Sequence, residues 1–217
     1  MNEYVKDLID KIKTGAISED EAEVLIRKAP FVDIGFAKVD THRAVRQGTP
    51  EVIYGAGKTP EQIRSIVDIM LERGQEHVLI TRIDEERAAA LEDIIGFKYY
   101  PVGKIGVIGD MPEPDGIGTI LVVTAGTSDI PMAEEAAVTA EALGNRVERA
   151  YDCGVAGLHR TLSHMDQIMK ASVIIVLAGM EGALASVIGG LADCPVIAVP
   201  TSVILCACFN YIVTTML

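Results

Sequence analysis

The feature that most limits what this chain can fold into is a strict alternation along residues 119–199. Thr119–Thr124 is an apolar strand. Pro131–Leu143 follows as a helix closed by Gly144, then a strand over Arg146–Tyr151 and a helix over Gly157–Met169. Val173–Ala178 is again a strand, Gly182–Leu191 a helix and Pro195–Val199 a strand. Apolar strands separated by helices predict a parallel sheet covered on both faces. Such crossovers are right-handed.

The fold class is therefore α/β, with a parallel three-layer domain of the flavodoxin or Rossmann-like kind. In such sheets ligands bind beyond the carboxyl ends of the strands. The candidate loops are 125–130, 152–160, 179–182 and 200–203.

The chain before this domain has another pattern. The first 28 residues predict two short helices, the second opened by the capping box Ser18-Glu19-Asp20-Glu21, in which each side chain satisfies an end amide. A mixed region follows: Phe31–Ile34, Asp40–Arg43 and Glu51–Tyr54. Thr59-Pro60-Glu61-Gln62 starts a helix, with Pro where its missing N–H costs nothing. It runs to about Arg73, with Ile63, Ile66, Val67, Met70 and Leu71 on one face. A strand at His77–Thr81, a helix at Asp84–Ile95 and a strand at Lys104–Ile108 complete a small α+β N-terminal domain, residues 1–112. Prolines and glycines alternate from Gly109 to Gly118 and mark the boundary to the second domain, 119–217.

Charge and cysteine usage narrow the partners. A net charge of −12 disfavours nucleic acid or an anionic membrane surface. An anionic ligand must be held locally, by backbone amides and a few cations. Cys153, Cys194, Cys206 and Cys208 have no zinc-type spacing. They are expected to be reduced thiols of a cytoplasmic protein. The opening MNEYVKDLIDKIK is charged throughout and is not a signal peptide. Residues 171–192 and 194–217 are apolar enough to be mistaken for membrane spans. The β-branched run Val173–Val176 and the break at Gly179-Met180-Glu181-Gly182 instead predict strand, turn and helix. A carboxylate such as Glu181 at a bilayer centre would cost roughly 2.5–3.5 kcal/mol. Pro195 and Pro200 cut the second stretch.

The strand-end loops carry the chemistry. In Gly126-Thr127-Ser128-Asp129, glycine allows a sharp turn off the strand, and Ser128 or Asp129 can cap the next helix. The same geometry makes an anion site at a positive helix end. In Asp152–Arg160, Gly154 and Gly157 let a ligand approach the main chain. His159 can move protons near neutral pH, and Arg160 can pair bidentately with carboxylate or phosphate. Glu181 lies between Gly179 and Gly182 in an uncharged stretch. Buried there, it would have a raised pKa and act as acid, base or ribose ligand. The helix after it has small residues and no charge, which fits a subunit interface. In the N-terminal half, Asp40, His42, Arg43, Arg46 and Glu51 crowd together, as a solvated loop or as a second ligand-contacting element.

Several blocks carry a resemblance: Thr124-Ala-Gly-Thr-Ser-Asp-Ile-Pro131 with Ala133-Glu-Glu-Ala136, Tyr151-Asp-Cys-Gly-Val-Ala-Gly-Leu-His-Arg160, and Ala178-Gly-Met-Glu-Gly-Ala-Leu-Ala-Ser-Val187. Asp40-x-His42-Arg43-x-x-Arg46-x-Gly48-x-Pro50-Glu51-Val52 and Gly57-Lys-Thr-Pro-Glu61 add to them. Together, over roughly residues 20–203, they resemble the LarB family of nickel-pincer nucleotide cofactor biosynthesis, the pyridinium-3,5-biscarboxylic acid mononucleotide synthases. The C-terminal half is in turn similar to the aminoimidazole ribonucleotide carboxylases, which form compact octamers.

The resemblance implies carboxylation of the pyridinium ring of nicotinic acid adenine dinucleotide, with CO2 or bicarbonate as co-substrate, then hydrolysis of the phosphoanhydride to release AMP. It implies Asp129, His159 and Glu181 as catalytic residues. Gly126, Thr127, Ser128, Gly157, Arg160, Gly179 and Gly182 would bind substrate. It leaves room for Mg2+ and gives this protein no nickel to hold. The tail departs from the family. A Gly-rich turn and an Asn-Ser-Cys-Ala-Ser-Gly segment with the nucleophilic cysteine are expected after Val203, but the chain reads Ile204-Leu-Cys-Ala-Cys-Phe-Asn to Leu217. A truncated, altered or degenerate member would each give that tail. Two other readings stay open: an aminoimidazole ribonucleotide carboxylase or mutase, and a non-catalytic nucleotide-binding module.

Overall fold

The computed structural model describes residues 3–28, 31–40, 43 and 48–201. The chain divides into two compact units. The first is built from Met1–Tyr99 and Gly106–Asp110, the second from Tyr100–Ile105 and the residues from Met111 on.

The first unit opens with helices α1 (Glu3–Lys13) and α2 (Glu19–Lys28). The predicted box is present: Glu21 N–H donates to Ser18 Oγ at 3.1 Å, and Ser18 N–H donates to Glu21 Oε2 at 2.9 Å. Strands β1 (Phe31–Asp33) and β2 (Lys38–Asp40) make an antiparallel hairpin. Helix α3 (Pro60–Glu72) is capped by Thr59, whose side chain and that of Gln62 form a second reciprocal box. It buries Ile63, Ile66, Val67 and Met70, as its periodicity requires. It shares this core with Ile53 of β3 (Val52–Tyr54) and Val78 and Ile80 of β4 (Val78–Thr81).

The helix expected over Asp84–Ile95 is a correction. Helix α4 covers only Glu85–Ala89. Beyond it the backbone tightens into i→i+3 bonds, from Leu91 N–H to Ala88 O at 2.9 Å and from Ile94 N–H to Leu91 O at 3.0 Å. Strand β5 (Phe97–Tyr100), not anticipated from the sequence, joins β6 (Ile105–Ile108). The sheet order is β3-β4-β6-β5, with β3 parallel and β6 antiparallel to β4.

The second unit holds β7 (Thr119–Thr124), α5 (Ile130–Ala142), β8 (Arg146–Ala150), α6 (Leu158–Leu162), α7 (Met165–Lys170), β9 (Val173–Ala178), α8 (Ala183–Leu191) and β10 (Val196–Pro200). Its four strands are all parallel, in the order β10-β9-β7-β8. Successive residues of β7 face opposite layers. Leu121 and Val123 pack with Ile168 of α7 and Leu184 and Ile188 of α8. Val122 packs with Ala133 and Ala137 of α5 on the other side. The three layers are those the alternation predicts.

The single helix expected over Gly157–Met169 is a second correction. It is split into α6 and α7 at Ser163-His164, where Ser163 Oγ donates to Arg160 O at 2.6 Å and His164 N–H bonds Thr161 O, an i→i+3 contact, at 3.1 Å. Among the described residues no helix is long and apolar enough to cross a membrane. Residues 171–192 are strand, turn and helix.

Candidate functional site

In this strand order the chain leaves β7 toward β8 on one side and reaches β9 on the other. The switch point therefore lies between β7 and β9, and in parallel sheets of this kind the ligand crevice is found at the carboxyl ends of the strands there. The loops after β7, β8 and β9 surround it, and Thr201 follows β10.

The first loop turns at Gly126, and Thr127–Asp129 form one 3-10 turn before α5. Thr127 and Ser128 are exposed. Asp129 is only 8% exposed, the one buried charged residue among the described residues. Its carboxylate does not cap α5, nor does Ser128. That corrects the expected cap. Asp129 Oδ2 accepts from Gly126 N–H at 2.9 Å, and Oδ1 accepts from the Thr201 hydroxyl.

The second loop leaves β8 through Tyr151. Tyr151 is fixed by donation from its hydroxyl to Glu134 Oε1 of α5 at 2.7 Å. Burial, then that hydrogen bond, pushes the Tyr151 pKa up. Arg149 of β8 bridges Glu134 at 3.1 Å and Glu141 at 2.6 Å, clamping β8 to α5. These carboxylate bonds, Glu141 foremost, raise the Arg149 pKa. Asp152 then adopts φ 57, a left-handed conformation that costs a non-glycine residue about 1–2 kcal/mol. It is held by its N–H on Thr124 Oγ1 at 3.0 Å and by an ion pair with Arg160. Thr161 Oγ1 donates to Cys153 O at 2.7 Å. Thr124 and Thr161, both fully buried, thus pin the loop from two sides. Sequence reasoning missed both. Their signal is a hydroxyl in an otherwise apolar strand end or helix face, which needs a partner once buried.

Two glycines set close approaches here. A Cβ on Gly154 would lie 2.7 Å from Ala125 O, so the second loop rests directly on the first. A Cβ on Gly157 would lie 3.0 Å from Arg160 Nε and 3.2 Å from His159 Cε1, so both side chains fold back over it. His159 is exposed, and Arg160 is already engaged by Asp152.

The third loop is closed by Gly182 N–H on Gly179 O at 3.0 Å, with Met180 at φ 53 and Gly182 at φ 69. Glu181 is exposed, not buried as expected from the sequence. Neither Glu181 nor His159 has a hydrogen-bond or ion-pair partner among the described residues. The structure therefore joins Asp129 to Thr201, Arg160 to Asp152, and His159 and Arg160 over Gly157. It gives Glu181 no such tie.

Cys153 and Cys194 are free thiols, the first buried and the second half-buried. Burial pushes the Cys153 thiol up, Asp152 adds to this, and Arg160 opposes it. Among the described residues no three His, Cys, Asp or Glu side chains converge to hold a metal.

In the N-terminal unit, Asp40 N–H donates to Glu51 Oε2. Burial raises the Glu51 pKa, against a smaller opposing effect of this bond. His42 and Arg46 of that cluster lie outside the described residues, as do Cys206, Cys208 and the rest of 202–217.

Residues 31–110 match the family described as LarB/PurE-like N-terminal domain. Residues 119–214 match AIR carboxylase. An uncharacterized protein of Methanocaldococcus jannaschii is 39% identical over 224 aligned residues, spanning 93% of this chain and 82% of the relative.

Proposed function

This chain belongs to the LarB-like branch of the AIR carboxylase family of enzymes, and on that premise we propose that its site serves carboxylation of a pyridinium dinucleotide, nicotinic acid adenine dinucleotide, followed by phosphoanhydride hydrolysis to release AMP. The observation that carries the reading is the two family matches in series on one chain. The glycine-flanked loops at the carboxyl ends of β7, β8 and β9 support it.

The chemistry follows from the ring. A pyridinium is electron-poor and cannot attack CO2. Addition of a thiolate forms a C–S bond and converts the ring into an enamine-like nucleophile. Its carbon then bonds CO2, a base takes the ring proton, and the C–S bond breaks to release the thiolate. Water next cleaves the phosphoanhydride. The positive end of α5, with the exposed Thr127 and Ser128, receives an anionic part of the ligand. Arg160 contacts a phosphate by exchanging it for Asp152. Exposed His159 handles protons, and Glu181 and Asp129 line the crevice. The glycines at 126, 179 and 182 keep the walls low enough for the ligand to reach the main chain, and Gly157 leaves room for the Arg160 and His159 side chains that fold over it.

Calorimetry tests the substrate class. Nicotinic acid adenine dinucleotide is expected to bind more tightly than aminoimidazole ribonucleotide. The reverse order would favour the purine-type carboxylase or mutase.

The assembly belongs to the same proposal. Helix α8 has no charged residue, and outside its buried Leu184 and Ile188 it exposes Ser186, Gly189 and Gly190. This low, uncharged surface fits a subunit contact, and eight copies are expected by light scattering. A monomer at micromolar concentration would contradict it.

A further inference from the structure

We infer that Thr201 is a positioning residue of this site, holding Asp129 and through it the shape of the first loop; the inference rests on the ligand reading above. The two residues are 72 positions apart in the chain. They follow strands β10 and β7, which are not neighbours, because β9 lies between them. Thr201 spans that gap. Its N–H donates to Ala178 O at the end of β9, at 3.2 Å, while its hydroxyl reaches Asp129 Oδ1. The contact therefore crosses the ends of β9 and β7, which is where the crevice opens.

Asp129 needs this donor. A carboxylate carried almost wholly out of water must find hydrogen bonds for both oxygens. Gly126 N–H serves Oδ2 and Thr201 serves Oδ1. Both donors also fix the turn that presents Thr127 and Ser128. Without the hydroxyl, Oδ1 stays buried and unpaired or the loop swings out to water. Either outcome displaces the first wall of the crevice. Asp129 thus acts as a fixed hydrogen-bond acceptor that organises the loop, and Thr201 acts through it.

The test uses the whole chain, with nicotinic acid adenine dinucleotide as the calorimetric probe. T201V keeps the side-chain volume and removes the hydroxyl. It is expected to weaken binding about tenfold or more, the scale of one lost hydrogen bond to a charged group. T201S is expected to restore most of it, which loss of packing alone would not allow. In a double-mutant cycle, T201V should add almost nothing to the loss caused by D129A. Unchanged binding by T201V, no rescue by T201S, or fully additive losses would each overturn the role. A wild-type chain that does not bind the dinucleotide defeats the ligand reading instead. The coupling is then read from the urea midpoints of the same four proteins, and additive midpoints would overturn the Thr201–Asp129 tie itself.

Discussion

Gly154→Ala is expected to weaken dinucleotide binding at least tenfold and to destabilise the second unit by about 1–3 kcal/mol, the usual cost of overpacking. The added Cβ would stand 2.7 Å from Ala125 O, a backbone atom with little freedom to retreat. Ala125 itself is anchored, its N–H bonding Leu177 O at 2.9 Å. The next residue back, Cys153, is tied by its N–H to Thr124 O at 2.8 Å. The strain must therefore part the first and second loops, and the crevice walls part with them. Ser128→Ala is the control. Its side chain is exposed and caps nothing, so stability should stay within about 0.5 kcal/mol while ligand affinity falls. Urea midpoints and calorimetry on both variants check this. If G154A unfolds at the wild-type midpoint and binds normally, the two loops do not form one site.

The layers of the second unit were legible because burial on both faces leaves a strand little choice but aliphatic residues. Val173–Ala178 shows this best: Ile174, Val176 and Leu177 are buried against helices on either side. The stop at Ala89 was not legible. Apolar residues continue at Leu91, Ile94 and Ile95, and periodicity cannot tell an α-helix from successive i→i+3 turns over so short a span. The strand Phe97–Tyr100 was hidden for a similar reason, because four residues offer only two alternations.

The site was legible in its loops and much less so in its partners. Glycine spacing marked close approaches to the backbone, and at Gly154 and Gly157 the atoms that come close are the protein's own, Ala125 O at the first and the Arg160 and His159 side chains at the second. What a one-dimensional reading lacks is distance across the sheet. Asp129 and Thr201 meet only because β10 lies two places from β7 in the strand order. Arg160 and Glu181 are read from residue type and loop alone, and the structure adds their surroundings: the first is paired with Asp152 and the second is exposed.

The thiol brings out the largest expected contrast in activity. As a 217-residue polypeptide, the chain is expected to bind the dinucleotide and carboxylate it poorly or not at all. Attack on a pyridinium carbon needs sulfur within about 3–3.5 Å and aligned with the ring face, and a misplacement of about 1 Å can cost 100-fold. Cys153 is 1% exposed, with Sγ turned to Tyr151 O at 3.6 Å. Its raised pKa leaves less of the thiolate that must attack. Cys194 fails on position. It precedes β10, so it lies at the amino end of the parallel sheet, about 17 Å of strand away from the ligand loops. Burial, with Asp193 beside it, also raises its pKa. Residues 204–217 contain Cys206 and Cys208 in an uncharged apolar run, not the Asn-Ser-Cys-Ala-Ser-Gly segment expected from the resemblance. Joining a family-like tail with that cysteine should bring labelled bicarbonate into the product, read by mass spectrometry. Cys153→Ser and Cys194→Ser should leave that activity in place. Robust carboxylation by the 217-residue chain, abolished by replacing any one of its own four cysteines, would reassign the nucleophile.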